Sequence, residues 1–256
     1  MAALEVHQIP VWDDNYVYLA HDPETGSTAV IDPAEAEAVL EAAAAKGWKI
    51  THILNTHHHG DHTGGNEEIK AATGCTIVGA RSDAGRIPGI DVQVGEGDTY
   101  KMGSAVAKVF DVPGHTSGHI AYWFEESDVL FCGDTLFALG CGRLFEGTAE
   151  QMWRSLDKFR ALPGTTRICC AHEYTQANAR FAVTVDPDNA ALAARVGEID
   201  RLRADGKPTV PSTLAEELAT NPFLRADDSG VAAAVGLAGA DPVAVFAEVR
   251  GRKDKF

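Results

Sequence analysis

The sequence predicts an α+β protein in which sheets are covered by helices, followed by a small helical domain. Two observations carry that class. Up to about residue 172 the chain is built of short apolar runs bounded by Gly, Pro and Asp; beyond it the strand-like runs stop and helical runs take over. A third observation locates the chemistry. Four of the ten histidines fall in the seven residues Thr56-His57-His58-His59-Gly60-Asp61-His62, directly after an apolar run that reads as a buried strand.

The expected strands are Leu4–Ile9, Tyr16–Ala20, Ala29–Ile31, Ile50–Leu54, Thr76–Val78, Ala105–Phe110, Ile120–Phe124, Val129–Cys132 and Arg167–Ala171, each a short apolar stretch between turn formers. Helices are expected at Ala34–Lys46, which is Ala- and Glu-rich and stops at Gly47, a good residue for a helix end, and at Met152–Leu162, where Thr148 and Gln151 have the spacing of a capping box. After His172 the pattern predicts helices at Thr175–Val183, Asn189–Ala204, Leu214–Thr220 and Val243–Arg250. Thr213 and Glu216 repeat the capping box, and Pro208 and Pro211 punctuate the gap before it. The expected division is a catalytic domain over residues 1–173 and a helical domain over 174–256.

Composition narrows the function. The net charge is −15, which argues against a broad nucleic-acid surface, since phosphate binding needs clustered Lys and Arg. The amino-terminal residues lack a basic stretch followed by an apolar one, and no run of 18 apolar residues occurs, so neither a secretory signal nor a membrane span is expected. The five cysteines form no CxxC pair, which fits a reducing cytoplasm better than a disulfide framework.

The histidine cluster reads as a metal site because imidazole is the commonest metal ligand. His57 and His59 are two apart, so in an extended segment they face one side and His58 faces the other. Asp61 and His62, beyond the turn at Gly60, reach the same hollow from another direction. Two ligand pairs on one loop suit two metals, and each metal then needs ligands from elsewhere. His115 in Pro113–His119, Asp134 in Cys132-Gly133-Asp134 and His172 in Ala171-His172-Glu173 each follow a strand-like run. Ordinary surface or core roles suffice for His7, His21 and His52.

HxHxDH followed by a GHTxGH segment, a GD segment and a late single histidine resembles the metallo-β-lactamase superfamily. That resemblance implies an αββα sandwich with two metals at one sheet edge. One metal would be held by His57, His59 and His115, the other by Asp61, His62 and His172, and Asp134 would bridge them. Over the whole chain the sequence is more closely similar to the glyoxalase II family, the hydroxyacylglutathione hydrolases. The segments that carry this are Thr56–Asn66, Gly140–Thr148, His172–Thr175, Asn221–Arg225 and the stretch from Asp241-Pro242 to Lys253-Asp254.

The family resemblance further implies that glutathione is gripped by Arg143, Phe145, Tyr174, Arg250 and Lys253. Arg143 stands where the family often has lysine, and Phe145 where it often has tyrosine, so one hydroxyl contact worth about 0.5–1.5 kcal/mol is missing. Two metals roughly 3.5–4 Å apart could hold a bridging hydroxide, which would attack the thioester carbonyl. Asp61 and Asp134 are the catalytic carboxylates, Asp61 ligating and orienting the hydroxide, while His58 and His119 support neighbouring loops. The expected enzyme is a monomeric, cytoplasmic thioesterase with two divalent metal ions, zinc first and iron or manganese as alternatives. It cleaves S-(2-hydroxyacyl)glutathione, S-D-lactoylglutathione above all, in methylglyoxal detoxification, with no nucleic-acid or membrane partner. Persulfide dioxygenase, nuclease, flavodiiron and exported β-lactamase readings fit less well. The intact second ligand set, the acidic charge, the histidine at 59 and the missing signal count against them in turn.

Overall fold

The computed structural model describes residues 2–256. Contacts divide the chain into two compact units that are discontinuous in sequence: residues up to Asp111 with Ser117–Gly133, and Val112–Thr116 with Asp134–Phe256.

The first unit runs β1 (Glu5–Val11), β2 (Asn15–His21), β3 (Ser27–Ile31), α1 (Glu37–Lys46), β4 (Lys49–Leu54), α2 (Gly60–Thr63), α3 (Asn66–Thr73), β5 (Thr76–Ala80), β6 (Val92–Val94), β7 (Thr99–Met102), β8 (Ala105–Asp111), β9 (Ile120–Phe124) and β10 (Val129–Gly133). One sheet has the order β1-β2-β3-β4-β5-β6. Its first three strands are antiparallel, and β3 to β6 are parallel. Parallel neighbours need crossovers, which α1 supplies between β3 and β4, and α2 with α3 between β4 and β5. Strands β7 to β10 form an antiparallel meander.

The two sheets of this unit pack face to face. Tyr18 of β2 lies 5.7 Å from Phe131 of β10, ring to ring, and the buried Tyr122 hydroxyl of β9 donates to the Asn55 carbonyl at 3.0 Å. The outer face of the first sheet is sealed by Val39 and Ala43 of α1 and Ile69 of α3, which pack with Val17, Leu19, Val30, Ile53 and Ile77.

Helix α1 starts at Glu37 rather than Ala34. The carbonyl of Pro33 accepts from the Gly65 amide at 2.9 Å, so the chain before the helix is tied to the ligand-bearing segment. Its end is as expected, with Gly47 in the left-handed conformation at φ 68°. Helix α3 was not legible: Ile69 is its one buried apolar side chain, beside the buried Asn66, and a single apolar residue makes no periodic stripe. Strands β6 and β7 were missed for the same reason.

The second unit holds β11 (Leu136–Phe137), β12 (Gly140–Cys141), α4 (Ala149–Arg160), β13 (Arg167–Cys170), α5 (Thr175–Val185), α6 (Ala190–Ala204), β14 (Ser212–Thr213), α7 (Leu214–Thr220), α8 (Ser229–Ala234) and α9 (Pro242–Lys255). After residue 173 the one strand among the described residues is the two-residue β14, paired with β13. Both capping boxes form, Thr148 with Gln151 and Thr213 with Glu216. Helix α9 extends to Lys255, started by the Asp241 cap and by Pro242 in its first turn, where the missing proline N–H costs nothing.

A buried carboxylate organises this unit. Glu217 is fully buried. Its Oε2 accepts from the Leu139 amide at 2.9 Å and the Asn221 side chain at 3.0 Å, and its Oε1 pairs with the Arg195 guanidinium. Removing one partner of a buried pair strands the other charge. Arg195→Met is expected to cost about 3–5 kcal/mol of stability in denaturant unfolding; a loss below about 1 kcal/mol would contradict this account.

Candidate metal centre

In the first unit the ligand candidates sit at the carboxyl ends of parallel strands, where open α/β sheets place their sites. β4 ends at Leu54, His57 to His59 form the loop, and Asp61 and His62 lie on the short turn α2. His57 Nε2 is 3.1 Å from His59 Nδ1, and His62 Nε2 is 3.4 Å from Asp61 Oδ2. The four expected loop residues are thus brought together.

They are held by Asp32, which follows β3, is buried, and has φ 52°. Its Oδ1 accepts from the Thr56 amide and its Oδ2 from the Thr56 hydroxyl, both at 2.7 Å. Oδ2 also lies 3.1 Å from His62 Nδ1. The donor atoms of Asp32, His57 and His62 all fall within 4.8 Å of one another, but Asp32 is committed to Thr56. The Asn55 side chain donates to the His62 carbonyl at 2.8 Å. His119 stacks on His57 with ring centres 4.5 Å apart. Gly133 closes β10 at φ 48°, and a Cβ there would collide with the Thr56 hydroxyl and come within 2.9 Å of the His119 ring.

The second unit carries the other three. Asp134 reaches His115 Nε2 with Oδ2 and His172 Nε2 with Oδ1, each at 3.4 Å. One carboxylate therefore addresses two imidazoles with its two oxygens. His115 Nδ1 donates to the Arg143 carbonyl at 2.9 Å.

The donor chemistry of both groups fits a divalent metal. A ligating imidazole usually donates its remote N–H to a carboxylate or carbonyl, which fixes the tautomer. His62 does so to Asp32 and His115 to Arg143, leaving both Nε2 atoms facing carboxylates. Mixed nitrogen and carboxylate donors suit divalent ions.

The expected substrate residues lie in the second unit. Phe145 is 63% exposed, its ring 5.2 Å from His115. Tyr174 is 36% exposed and stacks parallel on His172 at 4.7 Å. Arg143 is exposed. Arg250 is 5% exposed. It donates to the Cys141 carbonyl at 2.9 Å and pairs with Asp254 at 3.0 Å, so it braces the strand before Arg143 from beneath. Lys253 donates to the Ala177 carbonyl at 3.2 Å. Its ammonium is pushed down to about 8, chiefly by burial and then by Arg250, Arg180 and Arg143. The cysteines at 141, 169 and 170 are pushed up, to about 11, 12 and 12, by burial, consistent with small apolar packing residues.

Sequence reasoning missed Asp32, Asn55, Asp83, Arg86 and Arg180. Asp32 alone carried a usable signal, an Asp-Pro turn at the end of an apolar run. The others gain meaning only from their spatial neighbours.

The fold class is that of the metallo-β-lactamase superfamily, whose profile matches residues 10–172. Residues 173–256 match the hydroxyacylglutathione hydrolase C-terminus. The hydroxyacylglutathione hydrolase of Methylococcus capsulatus is 64% identical over 99% of both chains. That of Rhodospirillum rubrum is 62% identical over the full length of both. Among solved structures, ETHE1 from Myxococcus xanthus matches with a TM-score of 0.68 at 26% identity, covering 96% of this chain and 90% of that one. The chain belongs to the hydroxyacylglutathione hydrolases, and is an enzyme of the metallo-β-lactamase fold followed by a helical carboxyl-terminal region.

Gly133→Ala tests the packing behind the ligand loop. A left-handed alanine costs about 1–2 kcal/mol and the collision about 1–3 more. A destabilisation of about 2–5 kcal/mol in denaturant unfolding is expected from their sum; a neutral variant would show that the segment yields freely.

Proposed function

We propose that the protein hydrolyses S-(2-hydroxyacyl)glutathione, S-D-lactoylglutathione above all, to glutathione and D-lactate, and so completes the removal of methylglyoxal. The observation that carries the substrate is the basic cluster of Lys253, Arg250, Arg180 and Arg143 in a chain of net charge −15. Cations gathered at such desolvation cost suit the carboxylates of a glutathione tail. Full-length similarity to relatives that bear the hydrolase name supports the same reading.

In this reading residues 1–173 form the catalytic domain and 174–256 the glutathione-binding one. His57, His59 and His115 hold one metal, Asp61, His62 and His172 the other, and Asp134 serves both. The two oxygens of Asp134, each near one imidazole of the opposite set, support that sharing. Zinc is the proposed ion. When bound, the metal pair supplies water that ionises near neutral pH and a Lewis acid for the carbonyl oxygen. Asp61 accepts a hydrogen bond from the attacking water and orients it. Water adds to the thioester carbon, the carbon–sulfur bond breaks, and glutathione leaves as thiolate. A thiolate leaves readily enough that no strong general acid is required. Phe145 and Tyr174 flank the acyl and cysteinyl part, and Arg143 and Lys253 take the carboxylates, with Arg250 holding the strand beneath. The protein acts as a cytoplasmic monomer without nucleic-acid or membrane partners; no helix among the described residues is long and apolar enough to cross a membrane.

Metal-loaded protein should release free thiol from S-D-lactoylglutathione far faster than from acetyl-coenzyme A, and lose that activity on chelation. Absence of thiol release by fully loaded protein would overturn the reading.

Lys253 sets a pH dependence. Its charged form is depleted as pH rises through about 8, so substrate binding is strong below that value and weakens above it. KM is expected to rise between pH 7 and 9 with kcat changing less. Lys253→Met should raise KM about 10- to 100-fold, from a charged hydrogen bond of roughly 1.5–3 kcal/mol, and flatten the profile. An unchanged KM would remove Lys253 from the binding site.

A further inference from the structure

The middle histidine of the triple motif has no role in the ligand sets, yet its surroundings are built. His58 Nδ1 lies 3.0 Å from Asp83 Oδ2, and its Nε2 lies 3.2 Å from Arg86 Nη1. A guanidinium has only donors, so Nε2 accepts and the ring carries its proton on Nδ1, donated to Asp83. Both ring nitrogens are thereby engaged. Asp83 is 1% exposed and ends the short turn Arg81–Asp83 that follows β5.

Arg86 completes the connection. Its Nε and Nη2 both donate to Asp83 Oδ1, and Nη2 also donates to the Ser117 hydroxyl at 3.1 Å. The next residue, Gly118, presses against the same carboxylate so closely that any Cβ there would strike Asp83. One residue further, His119 stacks on His57, and the Ile120 amide donates to the Thr56 carbonyl at 2.8 Å. The contacts close a ring: ligand loop, His58, Asp83 with Arg86, Ser117-Gly118, His119, and back to His57. Every member lies within the first unit.

We propose that His58, Asp83 and Arg86 are positioning residues that clamp the loop between His57 and His59 and set the approach of those two imidazoles to a divalent metal. The histidine at position 58 is thus selected for its two opposed nitrogens rather than as a spare ligand. Phe or Leu would fill the space but release the loop. The clamp rests on the reading that His57 and His59 hold a metal.

The test uses the full chain with zinc and cobalt(II) as probes. Arg86→Met removes the fork while keeping the stem; it also strands the buried Asp83 carboxylate, so some loss of stability is expected beside the effect on metal. Chelator competition is expected to show metal affinity lower by about 10- to 100-fold, the usual effect of losing a residue that orients ligands. The visible bands of the cobalt(II) protein should shift and kcat should fall with KM nearly unchanged, effects that a lowered melting temperature alone would not produce. Arg86→Lys keeps the charge without the fork and should remain defective. Full rescue by lysine would overturn the clamp, as would wild-type affinity and cobalt spectrum in Arg86→Met. Should Arg86→Met misfold, Ser117→Ala, which removes one arm, is expected to weaken metal binding several-fold, and unchanged binding there overturns the proposal. Failure of the wild-type protein to bind metal at all would instead sink the underlying metal assignment.

Discussion

The buried carboxylate of Asp32 is the constraint on which the histidine loop depends. It joins the end of β3 to the end of β4 by accepting from Thr56 twice, and it reaches His62 with the same oxygen. A carboxylate that has lost its water must be fully hydrogen-bonded. The partners it takes are the residue before the histidine loop and the last histidine of that loop. Backbone strain at φ 52° is tolerated because the packing around it leaves no alternative. Adjacent strand ends and ligand orientation are therefore one structural decision.

The same economy recurs around three of the candidate imidazoles. His62 is oriented by Asp32, His115 by the Arg143 carbonyl and His57 by the stacked His119. The Arg143 segment that orients His115 is braced by Arg250 at Cys141. The backbone of residues 141–145 thus links Arg250 with His115, so changes in that segment act on His115 as well.

Much of this was legible in the sequence. The histidine loop stood out by its dense spacing, the late single candidates by their place after strand-like runs and the helical tail because those runs stop after residue 172, and the capping boxes located α4 and α7. Helix α3 and the short strands β6 and β7 were not legible, since each buries too little apolar surface to leave a pattern. Arg250 was expected to grip glutathione; its burial follows from its bond to the Cys141 carbonyl, more than a hundred residues away in the chain, which no local pattern reveals. Asp83 and Arg86 read as ordinary loop charges for the same reason.

What the sequence by itself determined is the chemical inventory: seven metal-ligand candidates after strand-like runs, a helical carboxyl-terminal region and basic residues kept in an acidic chain. These are local facts, written in residue type and spacing. What only the tertiary structure decided is which oxygens and nitrogens face one another, as in Asp134 between His115 and His172 and in His58 between Asp83 and Arg86. Those pairings join residues far apart in the chain, and their geometry is set by β-sheet register and by the need to satisfy each buried polar group.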